Sequence, residues 1–560
     1  MKTKVASPRI ALIAKGVVVS LFSVFLVAPA LGADTQLTPI NLVAPADIPN
    51  VAPLPFTGVI ASAFTVPTTL VNLTLTPNQG VIGTPFVVSG VGLPASASVQ
   101  LTWGTSSGTW IADVQPSSVN YLGTSFTKIT LNMAMVSTDA NGAFSLSTTV
   151  PSDFGGVHDI YAVVGGVAVA HTGYQIGRTV TISPSSGPIG TPITVTYTGL
   201  GASLYTAGGA VHYDNSMAGE VQAIWTRGTG KVVIYASGPR GIHFVNVADA
   251  IGVTYLNIIQ SPVPYANGGA AAFTVTKDPG VGKPTVTFPA QVTPTSPLRT
   301  TLTSVGLDPN TQATMTLSQP GGPILSKVNV KVSKVTMDGT YQLVWSTVIG
   351  NRVNCNGTCW AFNQVPLGTA TVVNGSASSD VTIPDNLGGW HVIQMIKGTA
   401  IEAQSPFYVK ESIMPFYDQA GKQIGAGVAK FDPIVTADST ARGQSGAPST
   451  SFKAGEDFTI SIKGVGWTQL DNTLAVTYDN SYIGYGCGFN SNGYMVIHLK
   501  ATGAPGTHII DLHPLLYTNQ PSFANTPYGM LPVLSSDRDF PGLALGYQVP
   551  SFHFAIKVTR

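Results

Sequence analysis

The sequence predicts an all-β chain of four tandem β-sandwich domains in the order A-B-A′-B′, a two-domain module present twice. Three observations carry that expectation. The stretch Gly190 to His243 lies over Gly455 to His508 without a gap, at an offset of 265. It matches Gly199 with Gly464, Gly201 with Gly466, Tyr213-Asp214-Asn215-Ser216 with Tyr478-Asp479-Asn480-Ser481, and Gly238, Gly241 and His243 with Gly503, Gly506 and His508. The A units share a different ending: Val150-Pro151 and Gly155-Gly156-Val157-His158 lie over Ile383-Pro384 and Gly388-Gly389-Trp390-His391 at an offset of 233. Finally, apolar residues alternate with Thr and Ser under Gly and Pro punctuation, with no sustained helical period; Ile193, Val195 and Tyr197 against Thr194, Thr196 and Thr198 show the two-residue period of a strand with one wet face. A self-match at fixed spacing marks a repeated structural unit.

Taken in order, residues 1–33 read as a secretory signal peptide. Lys2, Lys4, Arg9 and Lys15 precede or flank an apolar run from Gly16 to Val27, and Ala30-Leu31-Gly32-Ala33 supplies small residues for cleavage. Residues 34–69, rich in Pro, Ala and Thr, read as an extended leader or linker. Domain A spans 70–176 and opens with TLTPNQGVIGTPFVVSGVGL; domain B spans 177–278 and opens with TISPSSGPIGTPITVTYTGLG. Domain A′ spans 283–410. Matching Gly92-Leu93 to Gly306-Leu307 gives an offset of 214 at its opening, which predicts 19 extra residues in A′, with Cys355 and Cys359 inside the expansion. Residues 411–451 read as a linker or hinge, and B′ spans 452–560 with a long insertion over 513–548. No stretch after residue 33 approaches the 18 or more apolar residues of a spanning helix.

Units of roughly 100 residues with short alternating strands and turn signals follow the pattern of an immunoglobulin-like sandwich. These openings and the Gly-x-His endings resemble bacterial Ig-like surface repeats, including the IPT/TIG type, over most of Asn72 to Arg560. The resemblance implies a spacer, adhesive or assembly domain and carries over no catalytic residue. Paired immunoglobulin-type Cys and Trp are not evident, which disfavours the antibody-like branch.

Composition narrows the class of role. Only 9% of the residues are Asp, Glu, Lys or Arg, against about 25% in an ordinary soluble protein. Outside the first 33 residues, 23 basic residues face 26 acidic ones, so the basic stripe of a nucleic-acid binder is missing. Weak like-charge repulsion suits a chain that packs beside copies of itself. Three cysteines fit an oxidising compartment with little disulfide dependence. Cys355 and Cys359 flank Asn356-Gly357-Thr358, a turn that favours a local disulfide over a metal pair, and Cys487 is left over.

The candidate chemistry is sparse. His158, His243, His391 and His508 recur at one place in every unit. Strand parity sets them on the same face as Ile160, Val245, Ile393 and Ile510, so they read as scaffold histidines with nitrogens bonded to loop carbonyls. Asp214, Asn215, Asp479 and Asn480 read as Asx turns, with a Ca²⁺ or sugar site as the alternative. Parity also places Asp511 and His513 on the face opposite His508. Tyr517, Phe523, Tyr528 and Phe540 in the 513–548 insertion are the candidate ligand or partner contacts. Asn72, Asn356 and Asn374 fit the glycan acceptor pattern. No G-x-S-x-G, H-E-x-x-H, P-loop or haem motif occurs, and no cofactor is expected. The reading is therefore an exported, non-catalytic structural protein of a surface layer, sheath, filament or matrix, partnered by copies of itself or other surface components. The alternative is an adhesin or carbohydrate-binding module that uses the insertion.

Overall fold

The computed structural model describes residues 39–115, 118–203, 206–249, 253–257, 259–260, 267–293, 307–308, 310–350, 360–413, 415–417, 423–426, 428–430, 449–516 and 531–560. The predicted signal peptide, the Cys355/Cys359 loop, Asn356, and Tyr517, Phe523 and Tyr528 lie outside them. All described residues belong to one compact unit, Leu37–Arg560.

The chain is all-β, and one sheet pattern recurs along it. In B, strands Thr179–Ser183, Pro192–Thr198 and Gly230–Tyr235 form a three-stranded sheet. It is followed by a larger sheet in which Asn267–Val275, Gly241–Asp249, Gly208–Tyr213 and Ser216–Gln222 are neighbours in that order. Side chains from both sheets share a core, among them Ile193, Val195, Val211, Val245 and Phe273, each fully buried. A′ repeats the arrangement with Thr314–Leu317, Lys327–Ser333 and Ala377–Thr382 against Gly339–Gly350, Trp360–Val372, Gly389–Lys397 and Ala400–Val409. In each unit a short strand also joins the last strand in parallel, as Gln79–Gly80, Ser186–Gly187, Gly321–Gly322 and Ser451–Lys453 do. These are the layers of an immunoglobulin-like sandwich.

Register ties the units together. Trp103 stands opposite Ile160, Tyr213 opposite Val245, Trp345 opposite Ile393 and Tyr478 opposite Ile510. An aromatic residue therefore always faces the position two beyond the recurrent histidine. Trp103 and Trp345 are fully buried, so A and A′ do carry the core tryptophan of the immunoglobulin pattern, without its cysteines.

The same registers correct the opening of A′. Trp103 and Trp345 are 242 apart, whereas Ile160 and Ile393 are 233 apart. A thus has nine more residues than A′ between these strands, and the 19-residue expansion predicted for A′ is not present. The Gly92-Leu93 match was turn chemistry; burial of Val328, Val330 and Val332 sets the true register, because a one-residue slip would turn all three to solvent. The chain before Thr314 serves another unit: Thr285–Thr287 pairs with Ser551–His553 at the edge of the B′ sheet.

Two other stretches also enter the fold. In the leader, Pro39–Leu42 pairs antiparallel with Trp110–Asp113, and Leu42 and Ile48 are buried. In the predicted linker, Ser412–Ile413 and Val428–Lys430 both pair with Asp457–Lys463, building the first edge of B′. Both stretches lack a clear two-residue period, so only their partners reveal them.

The core of B′ is continuous with residues from every other part of the chain. Leu42 and Ile48, Trp110, Ile224 and Trp225, Val292, Val348, Trp390 and Tyr408 all join Phe458, Ile460, Leu512 and Phe554. Trp110 and Val348 reach it because the Ser98–Gln115/Ser118–Ser137 and Gly339–Gly350/Trp360–Val372 hairpins extend well past their own sandwiches.

Candidate functional site

Each recurrent histidine is held on both ring nitrogens. In A, the Nδ1 of His158 lies 2.8 Å from the Gly104 carbonyl and its Nε2 lies 2.7 Å from the Phe154 carbonyl. The ring stacks on Trp103 at 4.6 Å. His391 repeats this in A′, between the carbonyls of Ser346 and Gly388 and stacked on Trp345 at 4.6 Å. A neutral imidazole can donate to only one of two carbonyls, yet burial holds His391 down at about 4. In B and B′ one carbonyl is replaced by a carboxylate. His243 pairs with Asp214 at 2.8 Å and His508 with Asp479 at 2.6 Å. The hydrogen bond to Asp479 raises the pKa of His508.

This accounts for the Tyr-Asp-Asn block. Asp214 and Asp479 have positive φ at the turn, and each also accepts the backbone N–H of Phe244 or Ile509. Asn480 donates to the Tyr235 carbonyl and to Ser237 across the B–B′ seam. Asn215 lies at the exposed tip of its turn. The carboxylate oxygens of Asp214 and Asp479 are engaged in the scaffold, and no cluster of three or more His, Cys, Asp or Glu fit to hold a metal occurs among the described residues. The four histidines sit one per unit and do not converge.

The repeated glycines make the A–B joints. The Gly155 N–H donates to the Leu200 carbonyl at 2.7 Å, and the Gly388 N–H donates to the Val465 carbonyl at 2.8 Å. A Cβ on Gly155 would come within 1.8 Å of the Gly199 oxygen; one on Gly388 would come within 1.6 Å of the Gly464 oxygen. Beside the first joint, buried Asp153 accepts from Trp103 Nε1, Thr105 Oγ1 and the Arg227 guanidinium at 2.8, 3.0 and 2.5 Å. At the second joint, Asn386 and Asn492 stand in the places of Asp153 and Arg227. Asn386 takes the Thr347 hydroxyl as Asp153 takes that of Thr105, while Trp345 Nε1 has no partner. Sequence reading missed this polar joint, although Leu101-Thr102-Trp103 and Leu343-Val344-Trp345 already signalled matched tryptophans.

The described part of the insertion is interior. Phe540 is 1% exposed, and Leu543, Ala544, Leu545 and Tyr547 are fully buried, so the expected contact surface does not include Phe540. Asp539 accepts from the backbone N–H groups of Ile224, Trp225 and Thr226 and from the Thr226 hydroxyl, at 2.7–3.3 Å. Burial nevertheless pushes its carboxyl up to about 6. Pro532 and Leu534 bond the edge of the B sheet through Glu220.

Two hollows remain. A cleft of about 780 Å³ runs beneath residues 60–66, with Phe64, Lys128, Asp159 and Tyr161 in its walls. A cavity of about 130 Å³ at the B–B′ seam is lined by Asp511, His513, His553 and Tyr235 among others. There His553 bonds Asp511 at 2.7 Å and stacks on Tyr235 at 3.7 Å, and burial lowers the pKa of His513. Asp511 and His513 thus share a face away from His508. Asn72 and Asn374 are exposed, as is Cys487.

No protein-family model matches the chain, and comparison with curated proteins finds no match. Similar solved structures include Salmonella alpha-2-macroglobulin reacted with methylamine, at 9% identity and TM-score 0.16, covering 86% of this chain and 30% of that one. An ICAM-5 ectodomain fragment is similar at 8% identity and TM-score 0.16, over 87% of this chain and 99% of that one. A putative membrane anchored protein from Corynebacterium diphtheriae is similar at 12% identity and TM-score 0.15, over 60% and 90%. The chain spans about a third of the macroglobulin's length. These likenesses are too distant to carry a function; the sheet order itself defines the class, an all-β chain of immunoglobulin-like sandwiches. Among the described residues, no helix is long and apolar enough to cross a membrane.

Proposed function

We propose that this chain is an exported, non-catalytic structural protein of a cell-surface layer, sheath, filament or extracellular matrix. The observation that carries the reading is where its recurrent histidines and its joint-forming carboxylates are used. The four histidines, Asp214, Asp479, Asp153 and Asp539 all hold turns or joints between units, and none of them is aimed at a shared reaction centre. The basic, then apolar, amino-terminal segment supports export. A chain in which only 9% of the residues are charged supports close packing of copies. Electron microscopy of the native protein on its cells tests the reading. Ordered layers or filaments labelled by an antibody to this chain are expected, whereas a strictly monomeric soluble protein at high concentration would refute it.

A second reading, an adhesive or carbohydrate-binding module, is favoured by one observation. The 780 Å³ cleft offers Phe64 and Tyr161 beside Lys128 and Asp159, the aromatic and polar mixture of a small-ligand site. Binding on a glycan array that is lost in Tyr161→Ala with the fold intact would select it.

A further inference from the structure

The contact between B and B′ joins unlike surfaces. B′ contributes the outer face of its larger sheet, from which Ile509 and Ala555 pack into the core cluster of B. At the tip of the adjoining turn, Asn480 donates to the Tyr235 carbonyl and the Ser237 hydroxyl of B, at 2.7 and 2.8 Å. B contributes the end of its smaller sheet, where Gly190, Tyr235 and Ser237 stand. A Cβ on Gly190 would lie 3.9 Å from Ile509 Cδ1, and Tyr235 stacks on His553.

The repeat gives both units both surfaces. At the offset of 265, the outer face of B presents Asn215, Ile242 and Phe244 where B′ presents Asn480, Thr507 and Ile509. Thr507 and Ile509 are buried, 5% and 1% exposed, whereas Ile242 and Phe244 are 65% and 53% exposed. Asn215 is exposed as well, and so is Ala272, which stands opposite Phe244 in register. Conversely, B′ presents Gly455, Lys500 and Thr502 where B presents Gly190, Tyr235 and Ser237, and all three are exposed. The turn behind them has the same build: the Tyr478 hydroxyl donates to the Thr502 carbonyl and accepts its N–H, as that of Tyr213 does with Ser237. A two-fold pairing of B with B′ would bury both sets at once, so the contact is heterologous and leaves one surface of each kind exposed.

We propose that the outer face of B docks the smaller-sheet end of B′ in a second copy, repeating between chains the contact that B and B′ make within one. This rests on the self-assembly reading and names its interface and its direction, head to tail. Asn215 takes the part of Asn480, donating to the Lys500 carbonyl and the Thr502 hydroxyl of the second copy. Ile242 and Phe244 take the places of Thr507 and Ile509, against Gly455. Lys500 stands in for Tyr235, and its aliphatic stem covers the apolar surface of Phe244 and Ala272 while the ammonium stays in water. Burial of Ile242 and Phe244 drives the association. Since each copy carries one surface of each kind, growth continues past the dimer.

Two variants of the full mature chain test the contact, Asn215→Cys and Thr502→Cys, each made with Cys355→Ser, Cys359→Ser and Cys487→Ser. Mixed and oxidised with diamide, they should give a disulfide-linked dimer, because Asn480 and Ser237 touch at the equivalent place; neither should give it alone. Sedimentation equilibrium over about 1 to 100 μM should show the wild-type mass rising past the dimer. Ile242→Lys/Phe244→Lys should raise the dissociation constant by about tenfold or more, since it would bury unpaired cations beside Lys500. Both side chains are exposed, so an unchanged urea midpoint would certify the fold, and Asn215→Ala provides a second, uncharged variant that should weaken association in the same direction. The proposal is overturned if the wild type stays monomeric, if the lysine variant associates like the wild type, or if either cysteine variant alone cross-links as well as the mixture. Native assemblies that persist in the lysine variant would refute this contact and leave the structural role standing; absence of assemblies in the wild type would refute that role, and this contact with it.

Discussion

Asp153 and Arg227 form a buried ion pair, and a buried charge left without its partner is costly. Arg227→Asn should destabilise the protein by about 3–5 kcal/mol, read from the urea midpoint. Asp153→Asn with Arg227→Asn recreates the neutral pair Asn386/Asn492 of the second joint, and should recover more than half of that loss. A second residue-scale test concerns His391. Its folded pKa, about 4, lies below the ordinary histidine value, so folding favours the neutral ring. Its contribution is therefore present above about pH 6.5 and lost as pH falls from there toward 4. Asp539 runs the other way: its pKa is raised to about 6, so folding favours the protonated acid and its contribution falls as pH rises from about 4 to 6. The measurement must therefore be the difference between wild type and His391→Gln across a pH series of denaturation midpoints. An equal difference at pH 7 and pH 4.5 would contradict the assignment. The core-facing place of these histidines was legible from residues two apart. Their stacking on Trp or Tyr was legible only once register brought in a strand some 30 to 55 positions away.

At the scale of elements, the joints and the long hairpins decide most. Gly155→Ala or Gly388→Ala would drive a methyl into a backbone oxygen that cannot step aside. Each should lower stability by about 1–3 kcal/mol or more, with the loss visible as a fall in melting temperature. Trp110, 1% exposed near the end of the first hairpin, packs against Trp225 of B at 6.4 Å. Trp110→Ala should cost about 3–5 kcal/mol, a result that would be surprising for a residue on a free arm. Strand identity could be read locally, because alternation has a period of two and needs no partner. The opening of A′ could not, since a Gly-Leu pair recurs in loops without fixing which strand it precedes. The joining segments 39–42, 285–287, 412–413 and 428–430 are too short to show a period at all.

At the scale of the whole molecule, the central core draws on the leader, both hairpins, B, A′ and the insertion. Leu37–Arg560 should therefore unfold in a single calorimetric transition, whereas four independent sandwiches would give several. The first module alone, residues 34–282, should aggregate, since it would expose Ile224, Trp225 and the Glu220 edge that residues 532–539 cover. A soluble, monomeric half would show that the shared core is dispensable. The sequence by itself determined the doubled order of units, the strand parity and the inward rows, because these are local periodicities repeated at fixed spacing. Only the tertiary structure decided that Phe540, Leu543 and Leu545 of the insertion are buried, and that residues 39–42, 412–413 and 428–430 of the leader and linker are strands. Contacts such as Tyr121 with Gln469 or Thr226 with Asp539 join residues more than 300 apart. No periodicity encodes them; they follow from which surfaces remain unburied after each sandwich has closed.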